Sequence, residues 1–97
     1  MGKTAWVYIM TNKREGVLYV GVTSDLHGRV SKHKSKFYPK SFTARYNADK
    51  LVYFEKIDGM MKAIEREKQV KAGNRAKKIK LIVRMNPEWK DLFGEVS

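Results

Sequence analysis

The sequence predicts an α/β (α+β) fold: a small three-stranded, largely antiparallel sheet flanked by helices, in the order ββαβαα. Two observations carry this. Near the N-terminus, two apolar runs rich in β-branched and aromatic residues, Trp6-Val7-Tyr8-Ile9 and Leu18-Tyr19-Val20-Gly21, are separated by a short polar turn. Downstream, a third such run, Leu51-Val52-Tyr53-Phe54-Glu55, is followed by two stretches with apolar residues at helical spacing. A chain of 97 residues accommodates one modest core, so a single domain over 1–97 is expected.

Each element has its own warrant. Strands are predicted over 4–10 and 17–23, joined through Thr11-Asn12-Lys13-Arg14-Glu15-Gly16, with Gly16 available for a positive φ. Alternation puts Trp6, Tyr8 and Met10 on one face of the first strand, and Val17, Tyr19 and Gly21 on one face of the second. A hairpin symmetric about Lys13-Arg14 would set Tyr8 opposite Tyr19. Thr23-Ser24-Asp25 signals a helix over 25–36, weakened in its interior by Gly28. Residues 37–50 read as a long basic loop, and 51–55 as the third strand. Asp58 is expected to cap a helix over 59–72, and Gly73-Asn74 to break the chain before another over 75–85. That last helix would turn Ala76, Ile79, Ile82 and Val83 inward and its lysines outward. Pro87 ends it, and Trp89, Leu92 and Phe93 fasten the C-terminal turn to the core.

Composition narrows the partners. The chain has no cysteine, which excludes disulfides and thiolate metal sites and fits a cytoplasmic setting. Its N-terminal apolar run is too short to span a bilayer, and neither basic segment is expected to pair its charges with a large exposed aromatic face, so no membrane partner is expected. The formal net charge is +11, and the cations are clustered. Between Leu26 and Ala48 there is no acidic residue, yet Arg29, Lys32, Lys34, Lys36, Lys40 and Arg45 fall there. A second acid-free stretch from Lys68 to Pro87 holds Lys71, Arg75, Lys77, Lys78 and Lys80. Such clusters attract polyanions with steep salt dependence. The plain alternative is a solvated basic surface; the two separate clusters favour nucleic acid.

Four side chains suit phosphodiester chemistry. Tyr8 and Tyr19 share a hairpin face, and Arg29 and His33 share a helix face at i and i+4. Glu67 sits near the middle of the stripe formed by Met60, Ala63, Ile64 and Val70. A carboxylate there is costly unless it is paired with a cation or holds a metal, and both readings stay open. The two tyrosines are equally readable as a packed cross-hairpin pair, and His33 as a surface histidine. His27 lies on a different helix face from His33.

Together these residues resemble the GIY-YIG nuclease superfamily. Trp6-Val7-Tyr8 and Tyr19-Val20-Gly21 are similar to its two namesake tripeptides, and Arg29 follows at the matching distance. Gly21-Val22-Thr23-Ser24-Asp25-Leu26, Phe42-Thr43-Ala44-Arg45-Tyr46 and Asn86-Pro87-Glu88-Trp89 resemble its small stand-alone bacterial branch. Trp6 stands in place of the first motif's glycine, Val20 in place of isoleucine, and Val22 where the repair-protein relatives carry lysine. The resemblance implies a catalytic set of Tyr8, Tyr19, Arg29, His33 and Glu67, with Glu67 as the one metal-binding carboxylate and Mg²⁺ or Mn²⁺ as a single divalent ion. Beside a metal and an arginine, one of the two phenols would have its pKa depressed enough to act as a base, with Tyr8 expected as the base or base-orienting group and Tyr19 and His33 as its partners.

The expected activity is therefore a metal-dependent endonuclease acting on DNA in preference to RNA, structure-specific or single-strand-directed, serving repair or recombination. Lys32, Lys36, Lys40, Arg45, Tyr46, Lys71, Arg75, Lys77 and Lys78 would hold the nucleic acid. A protein partner would supply target specificity. The competing expectations are a catalytically silent nucleic-acid-binding or adaptor module, and a protein-binding domain with a positive surface.

Overall fold

β1 (Thr4–Thr11) is apolar nearly throughout because it is the middle strand of a sheet ordered β2-β1-β3 and is covered on both faces. The computed structural model describes residues 4–96, so residues 1–3 and 97 of the expected domain lie outside the described part. β2 (Leu18–Thr23) and β3 (Lys50–Asp58) both run antiparallel to β1. On one face Ala5, Val7 and Ile9 pack with Val20, Val52, Ala63, Val70, Ile82 and Trp89. On the other, Tyr8 and Met10 pack with Leu26, Val30, Ala48, Leu51 and Leu92. The three-stranded antiparallel sheet with helices is thus the predicted fold, with a thin core on each side.

Chain order is β1, β2, α1 (Leu26–Lys34), α2 (Phe42–Arg45), β3, α3 (Met60–Ala72), α4 (Arg75–Met85) and a closing 3-10 turn, Leu92–Glu95. Asp25 caps α1 by accepting the Gly28 N–H at 3.0 Å, so that glycine belongs to the cap rather than to a weakened interior. α1 ends before the expected Lys36. That residue has φ 55°, and the Phe37 N–H returns to the Lys32 carbonyl at 3.0 Å to close the last turn. The stretch expected to be loop contains α2, capped by Ser41.

Further boundaries and faces differ from expectation for local reasons. The positive φ in the hairpin belongs to Glu15 (φ 55°), whereas Gly16 lies against Asn12, whose side-chain oxygen accepts the Val17 N–H at 2.9 Å. Observed pairing sets Tyr8 opposite Gly21 and Met10 opposite Tyr19, two residues away from a symmetric hairpin. A shift of two keeps every side chain on its face, so Tyr8 and Tyr19 remain diagonal neighbours. β3 extends to Asp58 because it is an edge strand whose charged residues face water while its backbone still pairs with Thr4, Ala5 and Trp6. Asp58 therefore ends a strand, and the α3 cap is Gly59 at φ 103°, with no side-chain cap hydrogen bond. On α4, Ile82 is buried and Ile79 and Leu81 are partly covered, but Ala76 and Val83 are exposed. Both lie about 100° or more around the helix from Ile82.

Candidate active site

The central strand delivers Tyr8 to the α1 face of the sheet, where it is wholly buried. Gly21, opposite it on β2, makes room: a Cβ there would stand 2.5 Å from the Tyr8 hydroxyl. Tyr19, one diagonal step away, brings its ring centroid to 6.3 Å from that of Tyr8. α1 supplies His33 from its last turn, with ring centroids 5.7 Å from Tyr8 and 5.3 Å from Tyr19. Tyr8 Oη lies 2.8 Å from His33 Nε2, and His33 Nδ1 lies 2.8 Å from Thr43 Oγ1 on α2.

Two hydroxyls thus bracket the imidazole, one at each ring nitrogen. Burial, reinforced by the nearby Arg29 charge, lowers the His33 pKa to about 4, so the imidazole is neutral near pH 7. Each ring nitrogen faces a hydroxyl that can donate or accept, so the neutral ring makes both bonds in either tautomer. Ser41 Oγ, 3.2 Å from Thr43 Oγ1, continues the network and also caps α2. Thr43 is a member that residue-type reasoning passed over; a hydroxyl in a basic loop gives no sign that it will meet a histidine ring.

Burial raises the Tyr8 pKa well above the ordinary phenol value, Tyr19 raises it further, and the opposing Arg29 charge does not compensate. Tyr8 thus stays a neutral phenol beside a neutral imidazole and is not a ready phenolate.

Arg29 is exposed on α1, one turn before His33, and its charge acts on both Tyr8 and His33. Glu67 comes from α3, which covers the opposite face, yet its charge also acts on Tyr8. Its side chain is only 12% exposed, and its Oε2 is 2.8 Å from Lys71 Nζ in an i,i+4 ion pair. A lone carboxylate is chemically suited to a hard divalent ion that keeps most of its water and needs few protein ligands, but the Lys71 ammonium holds this one and has to give way for an ion to bind. Among the described residues no cluster of three or more His, Asp or Glu side chains forms a closed metal site. Two surface concavities, one beside Phe54, Met85 and Leu92 and one beside Trp6, Asp25 and His27, contain no member of this cluster.

The basic residues divide. Lys32, Lys36, Lys40, Arg45 and Tyr46 are exposed around the end of α1 and α2. Lys32 sits over the Phe37 ring at 5.3 Å and Arg45 over Tyr46 at 5.8 Å. Lys77 is exposed on α4. The other candidates on α3 and α4 have intramolecular work. Lys71 pairs with Glu67, Arg75 donates to the Gly16 carbonyl at 2.7 Å, and Lys78 donates to the Lys71 carbonyl at 3.1 Å, capping α3. His27 stacks on Phe93, with centroids 4.8 Å apart, away from the cluster.

A family profile described as the GIY-YIG catalytic domain matches residues 4–80. A UPF0213 protein of Syntrophus aciditrophicus is 35% identical over 83 residues, covering 86% of this chain and 93% of that protein. A second, from Staphylococcus saprophyticus, is 36% identical over 77 residues, covering 79% and 92%. The solution NMR structure of a UPF0213 protein from Bacillus halodurans is similar with a TM-score of 0.55 and 26% identity, covering 91% of this chain and 92% of that one.

Proposed function

Because the chain belongs to the GIY-YIG catalytic-domain family, we propose that it is a metal-dependent endonuclease hydrolysing phosphodiester bonds in DNA rather than RNA. We read it as structure-specific or single-strand-directed, acting in cytoplasmic repair or recombination with a protein partner supplying specificity. The observation that supports this best is the cluster at one phenol: Tyr8 is bonded to His33 and lies against the Tyr19 ring.

The roles follow from the chemistry of each group. Arg29 presents a planar fork of donors that grips two phosphate oxygens at once. Tyr19, half-buried where Tyr8 is wholly buried, is the phenol that meets the substrate. Behind it Tyr8, bonded to the neutral His33, is a base-orienting group. Glu67 would hold a magnesium or manganese ion, which when bound would supply positive charge to the phosphate as negative charge builds there.

The test is incubation of the protein with labelled single-stranded, duplex and forked DNA in Mg²⁺, Mn²⁺ or chelator. Metal-dependent cutting that Glu67→Ala and Arg29→Ala abolish, with folding retained by circular dichroism, is the expected result. A second reading, a nucleic-acid-binding module without turnover, draws support from the burial of Tyr8 and the occupied Glu67 carboxylate. Binding without cutting on every substrate and metal would select it.

A further inference from the structure

Every exposed large aromatic among the described residues lies within residues 37–46: Phe37 at 60%, Tyr38 at 52%, Phe42 at 41% and Tyr46 at 46%. The exposed apolar residues elsewhere, on α3 and α4, are aliphatic or methionine, so the segregation is chemical and not a general looseness of packing. The four rings form two contacting pairs, Phe37–Tyr38 at 4.9 Å and Phe42–Tyr46 at 4.7 Å. Phe42 in turn stacks on Tyr19 at 6.0 Å with an interplanar angle of 27°, which carries the aromatic surface up to the candidate active site.

The backbone beneath these rings is fixed. The Phe37 N–H bonds to the Lys32 carbonyl at 3.0 Å and the Ala48 N–H to the Thr43 carbonyl at 2.8 Å. Lys36 and Asn47, each at φ 55°, turn the chain at the two ends. Lys36 Nζ donates to Asn47 Oδ1 at 2.6 Å and ties those ends together. The flanking charges are all positive: Lys32, Lys36, Lys40 and Arg45, with no carboxylate between Leu26 and Ala48.

We propose that this aromatic and basic segment is a stacking platform for unpaired bases, so that the substrate is a single strand or a junction with splayed nucleotides. A duplex hides its base faces, whereas a single strand offers a π-face at each nucleotide and a phosphate beside it, matching rings interleaved with cations. The assignment rests on the nucleic-acid reading of the active site and adds the class of substrate to it.

The experiment measures binding of the full chain, in chelator so that nothing is cut, to a fluorescein-labelled oligo-dT and to a duplex of equal length. Phe37→Ala and Tyr38→Ala should each weaken oligo-dT binding roughly fivefold to a hundredfold, leave duplex binding within about twofold, and leave the salt slope unchanged. Phe37→Leu, which keeps the apolar bulk, should not restore binding, and Phe37→Trp should, with its fluorescence quenched by the oligonucleotide. Restoration by leucine, equal losses on duplex, or unchanged oligo-dT binding would each overturn the platform. So would self-association, or binding to phosphatidylserine vesicles, that depends on the same rings more strongly than oligo-dT binding does. Failure of cleavage with the stacking signature intact would count against the nuclease alone; duplex cutting without the signature would count against the platform alone.

Discussion

At the scale of single residues, the glycine of the second tripeptide is explained by space rather than by backbone freedom. A methyl at Gly21 would collide with the ring and hydroxyl of Tyr8, which cannot retreat because it is wholly buried and bonded to His33. Gly21→Ala is expected to cost about 1–3 kcal/mol, as overpacking does in tight cores. Urea denaturation measures that loss, and the His33 ring resonances should move as the Tyr8 bond is disturbed; an unchanged midpoint and spectrum would refute the steric account. His33 gives a pH signature with a definite sign. Its folded pKa, about 4, lies below the ordinary 6.5, so the unfolded chain takes up a proton first as pH falls. Stability is full above about pH 6.5 and declines towards pH 4; between pH 7 and 5 the loss should be about 2 kcal/mol. That window lies above the range in which Asp91 and Glu55 titrate, since both carboxyls are held below their usual values. Equal urea midpoints at pH 7 and 5 would mean that His33 charges in place. Residue types in the sequence identified Tyr8, Tyr19 and His33 as candidates, but not the direction in which the phenol's acidity moves. That direction depends on burial, which a strand pattern covered on both faces implies only once the fold is known.

Among the elements, legibility tracked how local each determinant is. The bounds of α4 and the start of α1 were readable because their caps, Asn74 and Asp25, sit beside the segments they cap. The hairpin register was not, since it depends on Asn12 bonding across the turn to Val17 and on Glu15 taking the positive φ. α2 was hidden because a four-residue helix carries no period; its cap and closing turn are its only signals. The C-terminal segment is held by the buried Trp89 and Leu92, by Asp91, whose Oδ1 accepts the Leu51 N–H at 3.1 Å, and by one buried amide. Asn86 donates to the Val52 carbonyl at 3.2 Å and the Lys90 carbonyl at 2.8 Å, and accepts the Lys90 N–H at 3.0 Å. Asn86→Ala strands these groups and should cost about 1–3 kcal/mol. Proteolysis between residues 86 and 96 should become faster than cleavage elsewhere, and uniform protection would show that Trp89, Asp91 and Leu92 hold the segment unaided.

For the molecule as a whole, net charge says that polyanions are attracted but not which cations meet them. A charge of +11 was plain from composition, and the family domain fits the nucleic-acid reading, yet the sequence treated the two basic stretches alike. The structure separates them. Lys78 spans from α4 to the carbonyls of Lys71 and Gly73, so its ammonium completes the end of α3. Lys40 and Lys77 side chains make no hydrogen bond or ion pair among the described residues and stand in water. The two kinds should therefore answer differently to removal. Lys78→Met keeps the apolar stem and deletes the cap, so it should lower stability by about 1 kcal/mol and leave the salt dependence of duplex binding nearly unchanged. Lys40→Ala and Lys77→Ala should leave stability within about 0.5 kcal/mol, while each reduces the slope of log affinity against log salt by roughly 0.9. Fluorescence anisotropy titrations at several salt concentrations, beside urea melts of the same proteins, read both quantities. A slope that falls equally for all three variants would mean that the duplex is held by diffuse charge, and that the internal bonds of Lys78 do not withdraw it from the binding surface.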